Sequence, residues 1–373
     1  MRKETRALFN SYVSQIAMLN AVAISDVATK FAVEPVVEQR LEQRMAESSE
    51  FLQAINMVPV TQQKGQTLGL GLTRTIAGRT NTAGGARRNP TDPTGNEELN
   101  SYVCEQTNYD WSRRYAALDA WRHRPEFETL LRDAILQQQA RDRIMIGWHG
   151  TSVAATTDRT AHPNLEDVNE GWLFKIRENA PAQVFDDGEL TVKTNGTNNA
   201  ALKAIYVKPG VTLFDDNLDN GAAAKADYSS LDALVLDAKR LLPEWYSGDT
   251  DLVVIVGHDL VDDKYFTIAQ TTGATATEVE ATDRILRSTK QIGGLPAVRV
   301  PFFPANGMLI TRLDNLSIYW QEETRRRMLK DEPEYDRIAN YESVNEAFVV
   351  EDYELVVLIE NIVIGEAGVR PAP

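Results

Sequence analysis

Residues 124–147 have the sequence RPEFETLLRDAILQQQARDRIMIG, and the spacing of their apolar side chains predicts one long α-helix. Pro125 suits the first helical turn, where its missing N–H is not needed. From Phe127 to Ile135 the apolar residues recur three and four positions apart, and Gln138 continues the same face. At 1.5 Å per residue such a helix is about 35 Å long. It separates a stretch with few large apolar residues from one that can form a core, so we interpret it as the spine of the fold.

The composition of the chain excludes several kinds of site. The 373 residues predict two or three domains and carry a net charge of −15, which argues against a nucleic-acid-binding surface. A single cysteine, Cys104, allows neither an intramolecular disulfide nor a cysteine-based metal site, and it fits a reducing compartment such as the cytoplasm. No apolar run approaches the ~18–20 residues of a membrane span, so we expect no membrane partner.

The first 31 residues differ in charge from the rest of the chain. They carry a net charge of +2, from four basic residues and two acidic ones, whereas the remainder carries −17. Residues 4–20 predict a short amphipathic helix, because Phe9, Tyr12 and Ile16 share one face. These two features together indicate a separable N-terminal segment. A second predicted helix, residues 36–54, is heavily charged, and its narrow stripe of Val37, Leu41 and Met45 predicts packing against a neighbouring element or another subunit.

Residues 57–115 predict a long two-stranded ribbon. Alternating apolar residues occur at Val58 and Val60 and again at 68–72, and strand-forming residues return between Tyr102 and Tyr115. The intervening Thr73 to Asn100 is rich in glycine, proline and arginine. An isolated ribbon is marginally stable in water, so we expect it to contact something else. The alternative is a disordered linker.

The chain after the spine predicts an α+β fold, because helices and strands follow one another without a repeating βαβ unit. We interpret Arg325–Arg327 as a charged connection whose acidic neighbours favour ion pairing, within the chain or between subunits. The predicted helices are 165–178 and 231–242, the latter capped by Ser229 or Ser230, and the predicted strands lie in 251–257, 298–303, 308–311, 316–320 and 353–364.

The sequence contains no pattern typical of an active site. The four histidines, His123, His149, His162 and His258, lack metal-ligand spacing, and we predict no cofactor and no metal. Gly257-His258 after an apolar run lacks the glycine fingerprint of a dinucleotide site. Paired carboxylates at 215–216 and 262–263 leave open a soluble α+β hydrolase, although such pairs are expected by chance in a chain with 54 acidic residues.

Several longer stretches are typical of one family. The chain resembles the major capsid proteins of P2-like tailed bacteriophages over nearly its whole length, although residues 185–227 do not match the family pattern. The matching stretches are Glu4-Thr5-Arg6, Val33-Glu34-Pro35, Glu47-Ser48-Ser49 with Phe51-Leu52, Thr82-Ala83-Gly84-Gly85, and the segments 251–257, 295–301, 315–319, 340–343 and 350–353.

The resemblance implies an HK97-like capsid fold with an N-arm, an extended E-loop, a peripheral domain carrying the spine helix, and an axial domain. It also implies removal of the N-terminal segment during maturation, and the matching junction is Phe31-Ala32. The implied division is 1–31 for the removable segment, 32–56 for the N-arm, 57–117 for the E-loop, 118–164 for the peripheral domain with its spine helix, 165–312 for the axial domain, and 313–373 for the C-terminal sheet and tail of the peripheral domain.

The implied function is structural. Such proteins, made late in infection, self-assemble as pentamers and hexamers into an icosahedral procapsid and then a virion shell. The implied partners are other copies of the chain, an internal scaffolding protein that is also the protease, a portal protein at one vertex, and packaged double-stranded DNA held without sequence-specific contacts. The resemblance places assembly in the host bacterial cytoplasm.

Overall fold

The computed structural model describes residues 1–66, 77, 79–82, 87–88, 101–121, 127–190, 193–194, 197–199, 202–208, 226–260 and 290–365. The chain mixes helices and sheets, which confirms the predicted α+β class, and it divides into two compact units. Unit 1 comprises Met1–Ser49, Asn56–Gln139 and Ser317–Asp352, and unit 2 comprises Glu50–Ile55, Ala140–Leu316 and Tyr353–Pro373.

The described helices and strands are numbered in chain order. The α-helices are α1 (Lys3–Leu19), α2 (Pro35–Glu47), α3 (Glu50–Ala54), α4 (Tyr115–Trp121), α5 (Phe127–His149), α6 (Trp172–Asn179), α7 (Leu231–Ala238) and α8 (Glu244–Ser247). The strands are β1 (Phe31–Ala32), β2 (Asn56–Val60), β3 (Lys64–Gln66), β4 (Ser101–Val103), β5 (Glu105–Asn108), β6 (Trp111–Arg114), β7 (Val184–Phe185), β8 (Lys193–Thr194), β9 (Thr197–Asn198), β10 (Ile205–Val207), β11 (Val253–Val256), β12 (Gln291–Ile292), β13 (Leu295–Val298), β14 (Met308–Thr311), β15 (Leu316–Gln321), β16 (Arg326–Glu332), β17 (Arg337–Val350), β18 (Val357–Ile359) and β19 (Ile362–Ile364).

Unit 1 is built on a seven-stranded sheet around β17, a strand of 14 residues. The sheet runs in the order β1-β16-β17-β15-β2, and β5 and β6 also pair with β17. The ribbon predicted at 57–115 is therefore two-stranded only at its described base, where β3 pairs antiparallel with β4. Residues 105–114 instead belong to the sheet, in antiparallel register with β17.

The N-terminal helices follow the prediction with one break. Helix α1 confirms the predicted helix at 4–20. The helix predicted at 36–54 is two helices, because the chain leaves the helical path at Ser48 and Ser49. The Ser48 hydroxyl donates to the Met45 carbonyl at 2.7 Å, which satisfies one of the last carbonyls of α2.

The spine is confirmed as α5, a helix of 23 residues. It ends two residues beyond the predicted Gly147, and the predicted start at Arg124 lies outside the described residues. The final turns are buried on nearly every side, including Ile144, Ile146 and Trp148. A Cβ atom at Gly147 would lie 2.2 Å from the Trp172 ring, so only glycine admits this contact.

An aromatic cluster surrounds this end of α5 within unit 2. Trp148 and Trp172 are fully buried, and their ring centroids lie 4.9 Å apart at an angle of 62°. Phe51 lies 5.4 Å from Trp148 and 6.0 Å from Trp172, and Phe303 lies 5.0 Å from Trp148. Such tilted and edge-to-face pairs add stability beyond the apolar area that they bury.

The main sheet of unit 2 has six strands in the order β12-β13-β11-β14-β18-β7. Helix α7 packs on this sheet through Leu231, Leu234 and Val235, as the spacing predicted, and the Ser230 hydroxyl caps its N-terminus by accepting from the Ala233 N–H at 3.2 Å. The helix predicted at 231–242 ends earlier, since Lys239–Leu241 form a 3₁₀ turn. The strands predicted at 251–257, 308–311 and 316–320 are confirmed within a few residues.

Three predicted elements are wrong. The helix at 165–178 begins only at Trp172, because Leu165 has a φ of +62° and 151–164 form an exposed loop. The strand at 298–303 ends at Val298, and Phe302 turns the chain with a φ of +64°. The charged connection at 325–327 is instead largely strand, since Arg326 and Arg327 begin β16, which pairs over its whole length with β17.

The exposed loop 151–164 is anchored at its base. The Thr151 N–H donates to the Glu166 carbonyl at 2.8 Å, and the Ala154 N–H donates to the Asp167 carbonyl at 2.9 Å. The predicted alternation at 68–72, nearly all of the predicted tip 73–100 and much of 185–227 lie outside the described residues. Within the described chain, no helix is both long enough and apolar enough to cross a membrane.

Candidate functional site

The predicted junction Phe31-Ala32 forms strand β1 at one edge of the unit 1 sheet. Phe31 pairs with Arg327 and Ala32 with Arg326 in antiparallel register, and the Val33 N–H donates to the Arg325 carbonyl at 3.0 Å. Phe31 is buried, whereas Ala32 is exposed. The backbone at the predicted junction is therefore already hydrogen-bonded within the sheet.

The segment before the junction packs on the same unit. Its buried side chains Ile16, Val27 and Phe31 join one apolar cluster with Leu329 of β16 and Ile338 of β17. The cluster also includes Ala17, Val33 and Leu118, and partly buried side chains packed against it are Met1, Phe9, Tyr12, Val13, Val22, Val37, Leu41 and Tyr115.

Polar contacts hold the N-terminal segment at several points along its length. Asp119 on α4 accepts from the Thr5 hydroxyl at 2.6 Å and from the Arg2 N–H at 3.0 Å, and these two hydrogen bonds lower the pKa of the Asp119 carboxyl. The Arg327 guanidinium donates to the Tyr12 hydroxyl at 3.0 Å. The Glu34 N–H donates to the Asn20 side-chain oxygen at 3.2 Å, which ties the end of α1 to the start of α2.

The chain after the junction is held by buried charge. Arg325 is 1% exposed and faces three carboxylates, two from α2 and one from β17. Its guanidinium contacts Glu42, lies 2.5 Å from Glu342 and lies 4.0 Å from Glu38. This set of four residues is called the arginine cluster below.

Negative charge exceeds positive charge in the arginine cluster. Burial raises the pKa of Glu38 above its usual 4.5, although the Glu323 N–H, 3.1 Å from the Glu38 carboxylate, and the charge of Arg325 act in the opposite direction. Ion pairing of the arginine triplet within the chain is confirmed for Arg325, although its partners are Glu42 and Glu342 rather than the acidic neighbours that suggested it. The neighbouring Arg326 is exposed.

The predicted face of α2 is only part of its contact surface. Val37 and Leu41 are partly buried, while Glu38 and Glu42 beside them are fully enclosed with Met45. The stripe predicted from the sequence did not include these two glutamates. The available signal was a pair of glutamates four residues apart, which lie on one helical face, in a chain that also carries three consecutive arginines.

Among the residues considered for catalysis, those that the structure describes are not brought together. His149 hydrogen-bonds the Phe302 carbonyl at 2.8 Å, His258 lies 2.9 Å from Asp259 at the surface, and His162 is exposed. His123 and the carboxylate pairs at 215–216 and 262–263 lie outside the described residues. Within the described ranges no group of His, Cys, Asp or Glu side chains has the arrangement of a metal site.

Gly257 has a packing role rather than a nucleotide-binding one. A Cβ atom there would lie 2.0 Å from the Ala305 carbonyl oxygen, and the Gly257 N–H donates to the Gly307 carbonyl at 3.0 Å. The glycine lets the end of β11 approach the turn before β14.

Comparison with known proteins decides the family. Residues 8–362 match the family described as phage major capsid protein, P2 family. This chain belongs to that family. Among its relatives, the capsid protein of Escherichia phage P2 is 45% identical over 367 residues, covering 98% of this chain and 96% of the relative. The major capsid protein of Serratia phage KSP20 is 39% identical over 364 residues, covering 97% of both chains.

A solved structure agrees with this assignment. A chain of the satellite phage P4 procapsid, which includes the size determination (Sid) protein, superposes with a TM-score of 0.74 at 43% identity, covering 98% of this chain and 99% of that one. The capsid protein described here therefore has the HK97-like fold that the resemblance implied, and its function is to form the phage shell as a structural virion component rather than as an enzyme.

Proposed function

We propose that this capsid protein assembles as pentamers and hexamers into a closed icosahedral shell around double-stranded DNA, in the cytoplasm of the host bacterium, and that its N-terminal segment is cut off between Phe31 and Ala32 during maturation. The observation that supports the cut is a coincidence of two boundaries. The charge changes sign after residue 31, and the same position is the two-residue strand β1 at a sheet edge.

The geometry of β1 sets a condition for cleavage. Proteases commonly bind an extended substrate through its backbone, as an added strand. Because Phe31 and Ala32 already pair with Arg327 and Arg326, β1 has to leave the edge of β16 before it can be cut. An edge strand of two residues is the part of the sheet that opens at least cost.

The proposed domains follow the family plan given above, with 1–31 removable, 32–56 as the N-arm, 57–117 as the E-loop, 118–164 and 313–373 as the peripheral domain and 165–312 as the axial domain. Two features support the assignment of residues 57–117 as an E-loop. Its described base is a short ribbon, β3 with β4, and Tyr102 in that ribbon packs edge-to-face on Tyr319 with ring centroids 5.0 Å apart. A neighbouring copy is the proposed contact for the rest of the loop.

The proposed partners are other copies of this chain, an internal scaffolding protein that also acts as the protease, a portal protein at one vertex, and the packaged DNA. The net charge of −15 supports DNA packing without tight or sequence-specific contact. Filter binding of purified capsomers at low salt tests this last point. Tight binding that weakens steeply with salt would contradict it.

The cleavage is tested by intact mass measurement of the subunit from purified virions. The expected mass is that of a chain beginning at Ala32, and a virion subunit that still carries Met1–Phe31 would refute the proposed junction. Shell assembly is tested by negative-stain imaging of the chain expressed with its scaffolding partner. Closed shells are expected, and a stable monomer under all conditions contradicts the proposal.

A further inference from the structure

The surface of unit 1 that receives the N-terminal segment is a groove of mixed apolar and polar character, called the N-terminal groove below. Its floor is formed by Leu329 and Ile338 of the sheet, and Leu118 of α4 forms one wall. Every one of these residues lies after the proposed junction, so the whole groove stays with the mature subunit. The full set is Val33, Val37, Leu41, Tyr115, Leu118, Leu329 and Ile338.

Departure of the segment uncovers apolar surface. Ile16, Ala17 and Val27 are between 1% and 5% exposed, so their partners in the groove are shielded from water by the segment. Removing such apolar area from water is favourable in proportion to its size. A groove left empty in a mature shell would expose this apolar surface to water in every subunit, which is unfavourable.

The polar contacts are spread along the segment and fix its register. Near the start of α1, the Asp119 carboxylate accepts hydrogen bonds from the Arg2 N–H and the Thr5 hydroxyl. In the middle of α1, the Tyr12 hydroxyl accepts one from the Arg327 guanidinium. Arg6 and Asp331 form an exposed ion pair at 3.3 Å. None of these contacts depends on the peptide bond between Phe31 and Ala32, so all of them survive its hydrolysis.

The cut creates two new charges beside β16. Hydrolysis consumes one water molecule, breaks the C–N bond, and leaves a carboxylate on Phe31 and an ammonium on Ala32. In the register of β1 the new carboxylate arises on the residue opposite Arg327, with the cationic Arg326 beside it. The new carboxylate is therefore attracted to these cations, whereas the new ammonium on Ala32 lies opposite the cationic Arg326 and is repelled, weakly because both residues are exposed.

We infer that the N-terminal groove is a peptide-binding site that retains the segment Met1–Phe31 after cleavage, so that the cut segment remains a non-covalent part of the particle. That the segment is cut during maturation rests on the proposed function, whereas its binding to the groove rests on the contacts above. The proposed occupant is the subunit's own segment, which contacts the groove through both the apolar cluster and the hydrogen bonds to Asp119 and Arg327.

The test uses the full chain with a site-specific protease sequence inserted between Thr29 and Lys30, both of which are exposed. The purified protein is cut and then applied to gel filtration at about micromolar concentration. Co-elution of the fragment with the body is expected, and elution of the fragment on its own overturns the inference. Loss of the fragment on dilution from oligomers to monomers also overturns it, since a second copy would then be the occupant.

Two variants of the same helix make the test specific. Ile16→Asp places a charge in the apolar cluster and is expected to weaken retention about a hundredfold, whereas Met18→Asp, at a side chain that is 77% exposed, leaves retention unchanged. Should Ile16→Asp prevent folding, Asp119→Ala removes the acceptor for Thr5 and Arg2 and is expected to weaken retention about tenfold. Equal retention in all variants overturns the inference.

The fate of the proposed cleavage is read separately, from the mass of the virion subunit. A virion subunit beginning at Met1 refutes the junction while the engineered cut still decides whether the groove holds the segment. A virion subunit beginning at Ala32 without an accompanying Met1–Phe31 peptide overturns retention while leaving the junction intact.

Discussion

The arginine cluster of unit 1 and the aromatic cluster of unit 2 achieve the same end by opposite means. Each encloses large side chains almost completely, at Arg325 in one and at Trp148 and Trp172 in the other. The first relies on three carboxylates around one guanidinium, and the second on ring contacts at 4.9–6.0 Å.

The difference teaches what each arrangement is suited to. Burying charges is costly, and even a well-paired set adds little net stability over apolar residues of similar volume. Such a set can, however, specify one docking of α2 on the sheet, because any shifted docking leaves a buried charge unpaired. The aromatic cluster has no such directional requirement and contributes stability through apolar burial and ring geometry.

The largest expected effect is from removing the single cation of the arginine cluster. Arg325→Met leaves three buried carboxylates without their partner and is expected to lower the free energy of unfolding by about 4 kcal/mol. Urea unfolding followed by circular dichroism measures it. Arg326→Met is the matched control, since this neighbouring arginine is exposed and should change stability by less than about 0.5 kcal/mol. Equal losses of stability in Arg325→Met and Arg326→Met would show that the buried carboxylates do not depend on Arg325.

The next effect is from filling the space beside the aromatic cluster. Gly147→Ala puts a Cβ atom 2.2 Å from the Trp172 ring, so the ring or the helix has to move, and a loss of about 3 kcal/mol is expected. Tryptophan fluorescence during urea unfolding reports it. The matched control is Gly248→Ala, where a Cβ meets no atom within 4 Å. A tolerated Gly147→Ala would show that this cluster is loosely packed.

A smaller effect on stability depends on pH and arises in the arginine cluster, at Glu38. Because the pKa of Glu38 is raised in the folded protein, the folded state holds a proton that the unfolded state has lost, and stability falls as pH rises from 4.5 through the folded pKa. Glu38→Gln should abolish this decline and be neutral or stabilising at pH 7. Unfolding measured across this range checks it, with the exposed Glu47→Gln as control. A wild-type curve that rises over the same interval contradicts the prediction.

The smallest effect is at the N-terminal groove. Hydrogen bonds from Thr5 and Arg2 lower the pKa of Asp119, so its contribution is present above the unfolded value of 3.8 and disappears as pH falls through the folded pKa. Asp119→Asn should therefore slightly lower stability at neutral pH, leave stability in strong acid unchanged, and so flatten the acid limb below about pH 4. Thermal melting from neutral to acid buffers measures this, and a loss of stability that persists below the acid limb would contradict the prediction.

The sequence predicted well those elements whose own periodicity reflects their burial. The cap at Ser230 and the apolar run of β11 are recognisable because each residue's neighbours in sequence are also its neighbours in space. The face predicted for α5 is wrong where its side chains are described, since Ala134 and Gln138 are exposed while Leu136, Gln139 and Ala140 are buried. The family resemblance supplied the fold name and the junction, which periodicity alone does not reach.

The misses share a physical cause. Strands β16 and β17 are rich in charged and polar residues, so they lack clear alternation, and their burial depends on partners such as Glu38 and Glu42 that lie far away in the chain. The positive φ angles at Leu165 and Phe302 are also invisible in a sequence, because neither residue type favours that conformation. Tertiary contacts override local preference at each of these positions.

The loop 151–164 has a practical consequence for protein engineering. All of its residues are exposed, yet the pairing of Thr151 with Glu166 brings its two ends together at a fixed base. Loops closed in this way accept added sequence, because lengthening them costs little chain entropy and disturbs no buried backbone. A short foreign epitope inserted between Ala155 and Thr156 is therefore expected to leave the subunit folded.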